Sequence, residues 1–457
     1  MDKQAIYERI ESHRERLIDS CRFIWHHPEV GGTEKESSAY LRGLLKDEGF
    51  RIQEVPEMPY AFVAEYGSGK PVIAILGEYD ALPGLSQQTV SVKDPVEPGA
   101  PGHGCGHNLL GSASAVAAIS LKEIMGEEQI PGTLRYYGCP EEELLIGKVK
   151  MVYYHLFDDV DVAMTWHPMT STQVYDGGAL ANTSVRFFFK GTPSHAAVAP
   201  EKGRSALDAV ELMNIGVNYL REHVIDKARI HYTTNSGGTP PNIVPAAADS
   251  WYYIRAPHIS DVKEILGRIR KIAEGAALMT ETQVQVQVES GCCEIRPNHA
   301  LADLVQENLE AAPLPVYTKE ELAFAKKLQA SCDPAVIARD EELFDSAGSP
   351  MMDHVGGRDL YKSSPLSAST DAGDVSFVTP MHMFAAACWP IGTGPHTWQV
   401  AAANGTSLAE KGAMYAAKVL AASVYDLLMD EAVLQKVRAE FEANRDPDYA
   451  PMIFMKE

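Results

Sequence analysis

Pro71-Val72-Ile73-Ala74-Ile75-Leu76, followed at once by Gly77-Glu78-Tyr79-Asp80, is a continuous apolar run that ends in a glycine and two acids. Its length, its lack of polar alternation and its bounding turn signals read as a buried strand. The same grammar recurs along the chain. Thr133-Leu134-Arg135-Tyr136-Tyr137-Gly138 runs into Cys139-Pro140-Glu141-Glu142-Glu143, and Asp161-Val162-Ala163-Met164-Thr165-Trp166 ends at His167-Pro168. Far downstream, Met383 to Trp389 precedes Gly392-Thr393-Gly394-Pro395-His396-Thr397-Trp398. Strand after strand thus delivers a His, Cys or Glu just past its carboxyl end, which is where an open α/β sheet binds ligands. The repetition argues for one shared site more strongly than any single motif does.

The densest motif lies between the first two of these strands. In Gly102-His103-Gly104-Cys105-Gly106-His107-Asn108 three potential metal ligands alternate with glycine, so that an extended backbone points all three the same way. A lone cysteine between histidines fits neither a zinc-finger spacing nor a disulfide. Leu109 to Met125 then reads as a buried helix, with Asn108 expected to cap it. Cys105 and His107 would sit just before a helix N-terminus, where the dipole favours a thiolate.

The middle of the chain is organised differently. Thr183 to Lys190 alternates as a strand, Arg204 to Glu222 is an amphipathic helix, and strands follow at Arg229 to Thr234 and Asp249 to Arg255. A helix from Asp261 to Leu278 and the strictly alternating strand Thr282 to Val288 complete a βαββαβ order, the split ferredoxin-like unit. The expected fold class is therefore α/β, a mostly parallel central sheet flanked by helices with a ferredoxin-like domain inserted. The expected boundaries are 1–182 for the first part of the catalytic domain, 183–295 for the insert and 296–457 for the second part. Residues 332–370 show no period and read as a long loop region.

With 457 residues, 45% of them hydrophobic and 22% charged, the chain is long enough for two or three domains with sizeable cores. Its formal net charge of −22 argues against nucleic acid and anionic membrane surfaces as partners. Met1 to Arg9 carries no signal-peptide core and no later run reads as a membrane span, while seven scattered cysteines suit a reducing compartment. The expected location is cytoplasmic, and the adjacent Cys292-Cys293 pair reads as structural.

Taken together, Gly77 to Leu82, Gly102 to Gly111, Thr165 to Pro168, Ser194-His195-Ala196-Ala197, Ser369-Thr370-Asp371-Ala372-Gly373-Asp374-Val375-Ser376 and His396-Thr397-Trp398-Gln399 resemble the aminoacylase and carboxypeptidase-G group of co-catalytic metallohydrolases. The resemblance runs over nearly the whole chain in the expected order. It implies a dinuclear site for two divalent cations, Zn2+ or Mn2+, with Cys105, His107, Glu143, His167 and His396 as ligands and Cys105 as the bridge. It implies Glu142 as the general base that takes a proton from the attacking water. Asp80 would orient a ligand histidine through its second ring nitrogen. His195, on the insert, would steady the oxyanion, often from the other subunit of a dimer. Asn242 and Arg255 would hold the substrate, Arg255 being suited to a forked grip on a carboxylate. The implied reaction is hydrolysis of the amide between an acyl group, expected to be aromatic, and an amino acid. The implied assembly is a homodimer, or a hetero-oligomer with a related chain.

One departure stands out. The family follows its paired glutamates with glycines, whereas here Leu144-Leu145-Ile146 follows Glu143, which is expected to narrow or reshape the cleft. That keeps a hydrolytic deaminase of an aromatic amine, or a dipeptidase, in view. Outside enzymes, the chain could serve as a regulatory or binding subunit. Plainer readings exist for single residues: Glu141-Glu142-Glu143 as a solvated acidic turn, Arg255 as the partner of a surface acid, Asn242 as a turn residue between prolines, and His195 as a cap. His103 shares the direction of the ligands, yet the resemblance assigns it no metal.

Overall fold

The computed structural model describes residues 2–360 and 368–452. Its strands are β1 (Arg51–Glu54), β2 (Phe62–Ser68), β3 (Val72–Glu78), β4 (Gly132–Cys139), β5 (Val162–Met169), β6 (Gln173–Val174), β7 (Ala181–Lys190), β8 (Arg229–Ser236), β9 (Ala247–Ala256), β10 (Gln283–Cys292) and β11 (Met381–Ala387). Seven of them form one sheet in the order β1-β2-β4-β3-β5-β11-β6. Its centre, β4-β3-β5-β11, is parallel, and the flanking pairs are antiparallel.

The unbroken apolar run of β3 follows from its place at the middle of this sheet. Ile73 and Ile75 point into the larger core on one face, whereas Val72, Ala74 and Leu76 point into a second core on the other. A strand with no solvent face has no reason to alternate. The helix His107–Glu128 packs across this sheet and against the helix Ser407–Met429. By length and composition it is apolar enough to cross a membrane, but 83% of its most apolar window is buried inside the protein. Asn108 does not cap it. Gly106 does, in the left-handed region at φ 86°, while the Asn108 amide donates to the Cys21 and Asn404 carbonyls. A Cβ at Gly106 would also lie 2.7 Å from Pro168 Cγ, so glycine is needed here twice over.

The remaining four strands form an antiparallel sheet in the order β10-β7-β9-β8, with helices Ala206–Leu220 and Ile259–Thr280 on one face. This is the ferredoxin-like order read from the sequence. In β10, Val284, Val286 and Val288 pack toward the helices while the intervening glutamines face solvent. The 332–370 stretch is less irregular than expected, since Pro334–Leu343 is a helix capped by Asp333. Residues 361–367 of that stretch lie outside the described residues.

Candidate metal centre and active site

The carboxyl edge of β4, β3, β5 and β11 gathers the chemistry. His107 is fully buried, and its Nδ1 lies 2.8 Å from Asp80 Oδ1, just past the end of β3. A carboxylate can only accept, so Nδ1 carries a proton and Nε2 is the nitrogen left facing the interior. His167, near the end of β5, is set the same way by donating from Nδ1 to the Pro168 carbonyl at 2.8 Å, which turns Nε2 to within 3.6 Å of Cys105 Sγ. The backbone N–H of Glu143 donates to Asp80 Oδ2 at 2.8 Å, so one aspartate fixes a histidine and the acidic turn together.

Two ligand triads result, and they share Cys105. The ligand atoms of Cys105, His107 and His167 lie within 4.8 Å of one another, as do those of Cys105, Glu143 and His396. His396 Nε2 is 3.4 Å from Glu143 Oε2, with the histidine backbone in the left-handed region at φ 63° and its N–H bonded to Gly104 O at 2.8 Å. A third group, Glu78, His107 and Glu142, meets the same distance limit. His107 Nε2 and Glu143 Oε1 are buried without a hydrogen-bond partner, and both belong to this cluster. Orphaned acceptors among so many acids are costly unless a cation meets them. Imidazole, thiol and carboxylate donors grouped around a shared cysteine therefore fit a pair of divalent ions.

The electrostatics point the same way. Burial pushes Glu142 well above the usual carboxylate range, with Glu78 and Asp371 adding to it, and burial lifts Glu143 to about 7. Burial likewise raises the Cys105 thiol, with Glu143 reinforcing it. Burial opposes charge on Asp80 too, yet His107 holds it below its ordinary value. Burial lowers His167 to about 4, leaving it a neutral ligand.

The acidic turn is built under constraint. Glu141 and Leu145 both sit at positive φ, 61° and 55°. The Leu145 N–H closes onto Glu142 O at 2.7 Å, and Gly147 passes so near Pro140 that a Cβ would lie 1.7 Å from its carbonyl oxygen. Such strain collects where surrounding structure fixes a functional group. Leu145 lines the cavity beside Glu142, Ile146 packs with it against Val149 and Cys292, and Leu144 covers Gly31.

The cavity above the cluster holds about 540 Å³. Cys105, Glu142, Glu143, His167 and His396 line it together with Arg255 from β9, and Leu145, Met169, Tyr175 and Met383 give it an apolar wall. The Arg255 guanidinium donates to Ser369 Oγ at 2.9 Å. Asp80 does not line the cavity and touches His107 from behind. The chain does not bring His195 or Asn242 to this cavity: both are exposed on the inserted domain, where Ala196 N–H bonds Asn242 O and the His195 ring accepts from Ala197 and Val198 N–H groups. His103 is buried, with Nε2 donating to Ile24 O at 2.9 Å, and belongs to none of the ligand groups formed among the described residues.

Three residues escaped the sequence reading as site elements: Glu78, Lys148 and Asp371. Lys148 is fully buried, with Nζ 2.7 Å from Glu78 Oε1 and 2.5 Å from Asp371 Oδ1. Burial alone would depress this ammonium, but Asp371 and Glu78 raise it well above its ordinary range. A lysine after Gly147 in a helix-opening turn carried no sequence signal of burial.

A peptidase dimerisation domain of the M20 type matches residues 180–280. The chain is 42% identical to one of the subunits of p-aminobenzoyl-glutamate hydrolase from Escherichia coli K12, over 98% of either chain. It belongs to the M20 metallohydrolase family. A second relative, the Xaa-Arg dipeptidase of Mus musculus, is 28% identical over 96% of this chain and 92% of its own. The fold is shared with a dinuclear metal binding peptidase of the M20 family from Bacillus subtilis (TM-score 0.58, 18% identity, 92% of this chain and 99% of that one). It is also shared with an aminobenzoyl-glutamate utilization protein from Klebsiella pneumoniae (TM-score 0.57, 18% identity, 89% and 97%). This M20 protein is a metal-dependent amidohydrolase acting on amide or peptide bonds.

Proposed function

We propose that this M20 enzyme hydrolyses the amide between an aromatic acyl group and an acidic amino acid, of the p-aminobenzoyl-glutamate kind. One observation carries the reading: a single cavity joins the ligand cluster, one arginine and an apolar wall. Arg255, bonded to Ser369 and facing the cavity, meets the carboxylate of the leaving amino acid. Leu145, Met169, Tyr175 and Met383 offer a flat acyl group apolar contact. The relative at 42% identity, by its name, acts on a substrate of this class.

Cys105, His107, Glu143, His167 and His396 would hold two divalent ions, Zn2+ or Mn2+, with Cys105 shared between them. When bound, such ions supply Lewis-acid activation of water and carbonyl. Glu142 takes the proton of the attacking water and passes it to the leaving amine, a task for which a carboxyl raised by burial is suited. Asp80 holds His107 in the ligating tautomer. His195 and Asn242, exposed on a domain that matches a dimerisation family, would reach the active site of a second subunit in a homodimer. Seven free cysteines support a reducing, cytoplasmic setting.

The test is a panel of N-acyl amino acids and Xaa-Arg dipeptides, supplied to metal-restored protein and scored for amino acid and ammonia together. Release of glutamate from N-aroyl-glutamates is the expected result. Ammonia without amino acid would make the enzyme a deaminase, and cleavage confined to Xaa-Arg would make it a dipeptidase.

A further inference from the structure

Glu78 ends β3 with its carboxylate divided between two neighbours. Oε1 is held by Lys148 Nζ at 2.7 Å, and Oε2 lies 3.3 Å from His107 Nε2, the nitrogen that faces the ligand cluster. Glu78, His107 and Glu142 present their ligand atoms within 4.8 Å of one another, so Glu78 is placed where it could itself bind a cation. What opposes this is Lys148. Its ammonium has no contact with solvent, and its position is fixed twice by Asp371, which takes the ammonium on Oδ1 and the Lys148 backbone N–H on Oδ2 at 2.7 Å. An ammonium so anchored cannot follow Glu78 toward the cluster. A carboxylate that left it would give up a charge-assisted hydrogen bond in a site sealed from solvent, with only Asp371 left on the ammonium.

We propose that Lys148 is a positioning residue that withholds Glu78 from the metal beside His107, and so keeps a ligand position open for substrate. The inference rests on the metal assignment made above. A catalytic centre needs such an opening, whereas one more carboxylate would close the site as in a structural metal centre. Lys148 does not line the cavity, and it reaches the ligand cluster by direct contact through Glu78.

The experiment uses full-length protein loaded with Co2+, whose visible d–d bands weaken as coordination number rises. Four variants are compared: Glu78→Gln, Lys148→Arg, Lys148→Met and the double variant Glu78→Gln/Lys148→Met. Metal per chain, the d–d spectrum and the rate of Co2+ loss to a chelator are measured, with circular dichroism as the check on folding. In Lys148→Met the bands should weaken and Co2+ loss should slow by about ten-fold, the scale on which outer groups tune metal sites. Turnover should fall with little change in KM. Lys148→Arg should keep the wild-type spectrum, and the double variant should regain it because the competing oxygen is gone. Glu78→Gln alone should leave the spectrum unchanged, and this variant keeps the test decisive if Lys148→Met fails to fold. A changed spectrum in Glu78→Gln would mean that Glu78 already ligates, and would overturn the proposal. So would a wild-type spectrum in folded Lys148→Met, or a change that persists in the double variant. Wild-type protein that takes up no Co2+ would instead bring down the metal assignment, and this inference with it.

Discussion

Strand β3 buries all seven of its residues, whereas β10 alternates from Gln283 to Val288 between solvent and the two helices beside it. The difference extends to what each sheet does. The parallel sheet encloses the ligand cluster with residues from its own strand ends and the loops that follow them. The antiparallel sheet lends that cavity only Tyr253 and Arg255 and leaves His195 and Asn242 exposed. Its helix Ala206–Leu220 also shows Leu212, Ile215 and Tyr219 to solvent at helical spacing. One region is finished within a single chain. The other carries groups whose proposed use requires a second one.

The sharpest way to break this comparison is at the finished region. Glu142→Gln keeps the shape of the side chain but removes the proposed proton acceptor, so turnover should fall by about 10³-fold or more, within the range attributed to general base catalysis. Metal content should stay near wild type. Metal analysis and kinetics on one sample check both, and a variant that retained substantial activity would place the base elsewhere. His396→Ala should lose metal along with activity, since His396 belongs to one of the two triads.

The unfinished region is tested by mixing. Glu142→Gln chains and His195→Ala chains, each poorly active alone, should recover activity when refolded together. A mixed dimer then has one site with both Glu142 and its partner's His195, so statistical pairing restores about a quarter of wild-type turnover. If His195 worked within its own chain, mixing would restore nothing. Arg255→Met, which removes the proposed partner of the substrate carboxylate, should lower kcat/KM for N-acyl-glutamates by about 10- to 100-fold, the worth of one charge-assisted hydrogen bond. Most of the change should appear in KM.

How much of this was legible in the sequence follows the same divide. The strand ends could be read because a buried parallel strand is a solid apolar run and the groups after it stand out. The inserted domain could be read because half-exposed strands alternate and amphipathic helices keep period. Asn108 misled because its residue type favours caps, while Gly106, already left-handed for contact with Pro168, starts the helix one residue before His107. Lys148 was illegible because burial of a lysine depends on two acids, Glu78 and Asp371, that are 70 and 223 residues away in the chain. The helix Pro334–Leu343 was hidden because it buries only Asp340 and so shows no apolar period.

The smallest expected effect lies beneath the acidic turn, at Glu34. Its Oε1 accepts the Glu141 N–H at 2.7 Å, while Oε2 is buried without a partner. Burial, with Asp80 nearby, raises this carboxyl from 4.5 to about 7. A folded-state value above the unfolded one means that the folded protein holds the proton more tightly, so stability is lost as pH climbs from the lower value through the higher. Glu34→Gln preserves the acceptor for Glu141 and carries no charge to bury. The variant should therefore melt about 2 °C above wild type at pH 8, and the gap should close toward pH 5, where the wild-type carboxyl is protonated in the fold. Calorimetric melts at the two pH values check this. A gap of equal size at both would mean that Glu34 acts through packing rather than charge, and that the strain of the Glu141 turn is carried by its backbone alone.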